Sequence, residues 1–180
     1  MRKTKYKWFW VWDFEKEERW LNSMAAQGWA LVSVSYCRYE FESCEPGSCA
    51  IRLEMLDAMP SSAEGLQYIG FVEETGAQYV GHVMRWAYFR KDVSKGAFNL
   101  YSDLDSRIRH VKRIQALLLP LAVCNICNLP LQVTNYIRNG YSGLLWCAAF
   151  VAAVTAMMGY GLYRVGAMRV ALEKERQLRE

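Results

Sequence analysis

The side chains of this sequence best suited to recognition are aromatic, and two short stretches concentrate them. Tyr6, Trp8, Trp10 and Trp12 fall at every second position, and Trp86 and Tyr88 alternate in the same way with a cation, Arg90, next in the series. In an extended backbone alternate side chains share a face, so each stretch would present a ladder of rings. Rings beside a guanidinium can stack on nucleic-acid bases, seat an apolar ligand or meet a protein. Trp86, Tyr88, Arg90, Trp8 and Trp10 are therefore the candidate ligand- or partner-binding residues. Filling a core or a dimer interface is the competing use of the same rings. Nucleic acid is the disfavoured partner. Residues 1–113 hold 16 of the 22 Lys+Arg and 15 of the 18 Asp+Glu, which leaves little basic surface for phosphates, and the RNP1 pattern is missing.

A second constellation is made of amides. Asn125, Asn128, Gln132 and Asn135 lie at i, i+3, i+7 and i+10, one face of a helix. They sit in a stretch of 24 uncharged residues between Arg113 and Arg138, and 25 more follow between Arg138 and Arg164. About 20 mostly apolar residues cross a bilayer, so the chain reads as a water-soluble domain tied to lipid by a helical hairpin, spans 114–137 and 142–164. Buried amides in lipid must find partners. Hairpin and oligomer packing is the plain use of this face; a polar pathway, or a lipid or peptide site, is the alternative. Ala148, Ala152 and Ala156, with Gly159 and Gly161 beyond, offer the small surface that close helix packing needs. Pro120 and Pro130 interrupt the first span. Neither span holds a charged residue, which weakens ion-coupled transport.

The remaining chemistry is sparse. Of six cysteines, Cys44 and Cys49 flank a turn, Glu45–Ser48, and could face each other across a hairpin, although a reducing compartment favours free thiols. Cys124-x-x-Cys127 has no second pair and no nearby histidine, so these read as small buried residues. His82 and His110 have no ligand spacing, and no metal or cofactor is expected. No nucleophile elbow, Walker A or dinucleotide glycine pattern occurs. Glu73 and Glu74 point to different sides of a helix. The expectation is a protein without catalytic activity.

These groups need elements to hold them. Aromatic Tyr6–Trp12 reads as a central strand. A helix follows over 15–27, with Trp20, Leu21 and Met24 at helical spacing and Gly28 as its stop. Alternation predicts strands over Trp29–Glu42 and Cys49–Leu56, paired through the Glu45–Ser48 turn. A second helix is expected over 63–75, ended by Gly76, and an extended segment over 79–91, bent or broken near Met84-Arg85. The order is that of an α+β, ferredoxin-like (βαββαβ) domain over 1–100, an antiparallel sheet with helices on one face. A juxtamembrane helix over 101–113, capped by Ser102, leads to the spans. A charged helical tail over 165–180 closes the sequence, with Arg169–Glu173 and Glu175–Arg179 as i,i+4 pairs. The apolar run Trp8–Trp12 is too short for a signal peptide. Arg107, Arg109, Lys112 and Arg113 before the first span, and Arg164, Arg169, Lys174, Arg176 and Arg179 after the second, outnumber the loop's Arg138, so the positive-inside rule puts both termini in the cytoplasm.

Several short motifs recur together: Trp20-Leu21-Asn22 with Met24-Ala25, Gly28-Trp29, Glu45-Pro46-Gly47 with Arg52-Leu53, Glu74-Thr75-Gly76 with Tyr79-Val80, Trp86-x-Tyr88-Phe89-Arg90-Lys91, and Tyr101-Ser102-Asp103. Over residues 5–113 this set resembles a bacterial family of uncharacterised membrane proteins in which a small domain of unknown function precedes two membrane helices. Ala77 departs from the pattern, where a Trp is common. The resemblance implies a PadR-like transcriptional regulator as a frequent genomic neighbour, hence a regulatory setting, and no established activity. The functional expectation is a membrane-anchored sensor or adaptor that binds a ligand or cytoplasmic protein partner through its first domain and forms homo-oligomers in the bilayer. The alternative is an oligomeric membrane effector built from the hairpins, providing a polar pathway or a site for a lipid or antimicrobial.

Overall fold

Among the described residues, six short strands and two α-helices lie within 1–96 and two long α-helices within 104–178. In the computed structural model the described residues are 1–96, 98 and 104–178. They divide into two units, Met1–Asp103 and Leu104–Glu180. The first unit runs β1 (Arg2–Tyr6), α1 (Phe14–Ala26), β2 (Trp29–Ser35), β3 (Arg38–Ser43), β4 (Cys49–Met55), α2 (Ala63–Glu74), β5 (Ala77–Val83) and β6 (Trp86–Asp92). The strands make two three-stranded antiparallel sheets, ordered β1-β3-β2 and β4-β6-β5. The class is α+β, but the single sheet of a ferredoxin-like order is replaced by these two.

The unit is an internal repeat of strand, helix and hairpin. A constant offset of 48 relates Gly28 to Gly76, Trp29 of β2 to Ala77 of β5, and Arg38 of β3 to Trp86 of β6. The same offset relates the bulge at Leu31/Ser33 to the bulge at Tyr79/Gly81. Gly28 and Gly76 both end their helices with left-handed backbone, φ +84° and +85°, the conformation in which a side chain is disfavoured.

Three strand expectations change. Tyr6–Trp12 is not a strand. The edge strand is the polar Arg2–Tyr6, whose Arg2 lies opposite Glu42, an opposite-charge pair that suits a solvated edge. After Tyr6 the chain leaves the sheet and turns at Val11–Asp13. This buries Trp12 and packs Phe9 5.6 Å from Trp20 and 6.4 Å from Tyr39, burial that an edge strand in water could not provide. The Cys49–Leu56 segment does not pair with its predecessor. Trp29–Glu42 folds on itself at Tyr36-Cys37, and β4 pairs with β6. The segment expected to bend or break near Met84-Arg85 breaks there, into the two strands of the β5/β6 hairpin.

Two apolar clusters hold the layers. Leu21, Met24 and Ala25 of α1 pack with Leu31, Val34, Tyr39 and Phe41 from the first sheet and Ile51, Leu53 and Tyr88 from the second. Ile69 and Val72 of α2 cover Ala77, Ala87 and Phe89 on the other face of the second sheet. Helix α1 also closes the free edge of β4. The Asn22 amide donates to Ile51 O at 2.8 Å and accepts from Ile51 N at 2.9 Å, while Glu18 accepts from Leu53 N at 3.1 Å and pairs with Arg52. An edge strand covered in this way cannot recruit another chain.

The second unit is α3 (Leu104–Asn139) and α4 (Gly143–Gln177), both long and apolar enough to cross a membrane. Helix α3 runs unbroken through Pro120 and Pro130. Its covered positions Gln115, Leu118, Ala122, Asn125, Leu129, Gln132 and Tyr136 alternate in steps of three and four, and so do Leu144, Ala148, Val151, Thr155, Met158, Leu162 and Val165 of α4, the signature of a coiled-coil seam. Beyond the uncharged stretches Arg169 pairs with Glu173 at 2.8 Å and Arg176 with Asp105 at 3.0 Å. The Ser102 cap and the Glu175–Arg179 pair involve residues outside those described.

Candidate functional site

The repeat brings its own equivalent positions together, and a cavity of about 290 Å³ opens where they meet. Glu42 of β3 and Arg90 of β6 are related by the offset of 48, and they form an ion pair at 2.9 Å. Ala30 and Gln78 are related in the same way, as are Cys44 and Asp92, and all four line the cavity with Ser48, Cys49, Gly76, Lys91 and Lys95. Arg90 is the keystone. It donates to Gln78 Oε1 at 2.8 Å, to Leu31 O at 3.1 Å and to Glu42 Oε1, so one guanidinium ties β6 to β5, β2 and β3. The lining carries three cations, Arg90, Lys91 and Lys95, against two carboxylates, Glu42 and Asp92. Hydrogen bonds from the Ser94 hydroxyl and backbone hold Asp92 below the usual carboxylate range, so it stays ionised. The balance of charge favours an anion.

The candidate residues read from the sequence separate. Arg90 lines the cavity. Tyr88 is 3% exposed, in the core under α1. Trp86 stacks on Phe14 with centroids 5.5 Å apart and is half-buried. Trp8 and Trp10 remain on the surface, 60% and 40% exposed, edge to face at 5.3 Å, and Trp10 stacks on Trp12. The two aromatic ladders therefore do not form one platform. In α3 the amides divide as well: Asn125 and Gln132 are on the seam toward α4, whereas Asn128 and Asn135 are exposed. Asn125 donates to Leu121 O at 2.8 Å and Gln132 to Asn128 Oδ1 at 3.4 Å. Ala148 is in the seam; Ala152 and Ala156 lie off it, because the seam follows the three-four alternation instead of four-residue steps.

Sequence reasoning missed Glu17. It is 8% exposed and accepts hydrogen bonds from Tyr39 at 2.8 Å and Tyr88 at 2.6 Å. Burial raises its pKa above the ordinary carboxylate value, an effect the two phenols partly oppose. The Tyr88 phenol is itself pushed far up by burial and by Glu17. This trio lies inside the apolar core, away from the cavity lining; its legible signal was a carboxylate on the helical face of Leu21 and Met24. Among the described residues no three His, Cys, Asp or Glu side chains converge as metal ligands.

Residues 13–123 match the family described as Protein of unknown function (DUF2812), and the chain belongs to that family. No curated protein and no solved structure matches it.

Proposed function

We propose that this family member is a non-catalytic, membrane-anchored sensor or adaptor whose first unit binds a small anionic ligand in the cavity between its repeats. The observation that carries the reading is the lining itself: equivalent positions of the two halves meet there, and Lys91 and Lys95 add positive charge beside an Arg90 already neutralised by Glu42. Helices α3 and α4, long and apolar enough to cross a membrane, would serve as the anchor, and the positive-inside rule applied to the basic residues around them favours cytoplasmic termini. A setting beside a PadR-like regulator, as the family resemblance implies, fits a sensor. The test is thermal unfolding of the detergent-solubilised protein in rising inorganic phosphate or succinate at constant ionic strength. A ligand that binds only the folded state stabilises it by mass action. Stabilisation by either anion that is lost in the Lys91→Ala/Lys95→Ala variant supports the proposal, and identical curves for both proteins refute it.

A second reading, an oligomeric membrane effector, draws on Asn128 and Asn135, exposed in the uncharged stretch of α3. Amides in lipid seek partners, and here a second hairpin would provide them. Asn128→Leu would then lower the oligomer size in detergent and change membrane permeability or drug tolerance. An unchanged size would remove this reading.

A further inference from the structure

Cys44 and Cys49 bracket a loop that is pinned from several sides. Cys44 N donates to Gly28 O at 2.9 Å, Gly47 N to Ala25 O at 3.0 Å, Ser48 N to Glu45 O at 3.1 Å, and Val93 N to Ser48 O at 2.9 Å. Cys44 follows β3 of the first sheet and Cys49 opens β4 of the second. Both are free thiols, both half-buried, and both line the cavity. Arg90 and Asp92 line the same wall of that cavity. The loop thus brings two thiols, one after the last strand segment of the first sheet and one at the start of the second, to the same cavity.

We infer that Cys44 and Cys49 form a reversible oxidation site, a dithiol that closes to a disulfide across the cavity wall. With a low-molecular-weight disulfide as oxidant, the Cys44 thiolate attacks one of its sulfurs. A mixed disulfide forms and one small thiolate leaves. The Cys49 thiol then gives up its proton and attacks the Cys44 sulfur, and the second small thiolate departs. The pair loses two electrons and two protons, and the oxidant becomes two thiols. Burial and the neighbouring Cys44 push the Cys49 thiol up to about 11, so the first attack falls to Cys44 and Cys49 acts as the resolving thiol. The closed bond would join the end of the first sheet to the start of the second, beside Arg90. This inference stands apart from whether the cavity takes an anion.

Trypsin provides a clean readout. Cleavage after Arg38 and Arg52 leaves both cysteines, and no other, in the peptide 39–52. Full-length protein in detergent would be treated with oxidised glutathione, alkylated, digested and weighed. The expected product is this peptide lighter by two hydrogens and unalkylated, returning to the doubly alkylated form after dithiothreitol. In Cys49→Ser the peptide should instead retain glutathione on Cys44. Glutathione kept on either cysteine of the unsubstituted protein, or both thiols left alkylatable under conditions that modify Cys37, would overturn the assignment.

Discussion

Removing the Tyr88 hydroxyl should cost more at neutral pH than in acid. Tyr88→Phe keeps the ring that packs under α1 and deletes only the 2.6 Å hydrogen bond to Glu17, leaving the Tyr39 bond at 2.8 Å. A hydrogen bond to a charged group contributes about 1.5–3 kcal/mol and one between neutral groups about 1 kcal/mol. The variant should therefore lose about 1 kcal/mol in acid, with Glu17 protonated, and about 2–3 kcal/mol once rising pH has ionised it. The sign agrees with linkage. Burial raises the Glu17 pKa in the folded state, so across that window the folded protein holds more protons than the unfolded chain, and stability falls as pH rises. Without Tyr88 the folded carboxyl titrates higher still, which extends the window and deepens the fall. Urea denaturation of residues 1–103, followed by tryptophan fluorescence at several pH values, reads the effect. Glu17→Gln serves as the control: its stability should be flatter over the window, and adding Tyr88→Phe to it should cost the same small amount at every pH. A Tyr88→Phe loss that is independent of pH, or below about 0.5 kcal/mol once Glu17 is ionised, would show that the phenol does not stabilise a buried carboxylate.

Two further substitutions probe how the first unit is held. Asn22→Leu leaves Ile51 N–H and C=O, in a fully buried residue, without the amide that satisfies them; two stranded groups at about 1–3 kcal/mol each make this the largest single loss expected, read as a lowered urea midpoint with little change in slope. Gly28→Ala and Gly76→Ala impose the same left-handed strain of about 1 kcal/mol, but a Cβ on Gly28 would sit 3.0 Å from Cys44 O, whereas on Gly76 it would meet only flexible lysine stems. Gly28→Ala should be the more destabilising of the two by thermal unfolding, and equal shifts would contradict that geometry.

Local signals were legible and distant pairings were not. Both helices of the first unit fall within a residue or so of the spans set by apolar spacing and by Gly28 and Gly76, since a helix closes its hydrogen bonds within its own sequence. Strand partners are chosen by the whole fold. Nothing in Cys49–Met55 alone distinguishes β3 from β6 as its neighbour, and the Pro-Gly turn before it argued for the wrong one. The hairpin loop at Tyr36-Cys37 carried no Gly, Asn or Pro to announce it, yet Cys37 adopts φ +58°. Arg2–Tyr6 lacked an apolar pattern because an edge strand in water needs none. The aromatic ladders misled for a related reason: alternation was read as a shared open face, while the chain uses Phe9 and Trp12 to bury the approach to α1 and leaves Trp8 and Trp10 outside.

The repeat escaped notice because its halves have diverged where they do different work. Asn22 and Glu18, which seal the edge of β4, correspond to Gly70 and Leu66 in α2, and the buried Glu17 corresponds to Gly65, where a Cβ would fall only 2.2 Å from Met59 O. Sealing the edge of β4 thus falls to the first helix, while the second covers the other face of that sheet. Around the cavity the divergence is of another kind: Glu42 pairs with Arg90, and the equivalent positions Ala30 and Gln78, and Cys44 and Asp92, all line it. A purely structural seam between related halves is well served by apolar pairs. Opposite charges, an amide and a thiol at equivalent positions keep it polar and open instead, and this asymmetry, more than any motif in the sequence, directs attention to the cavity.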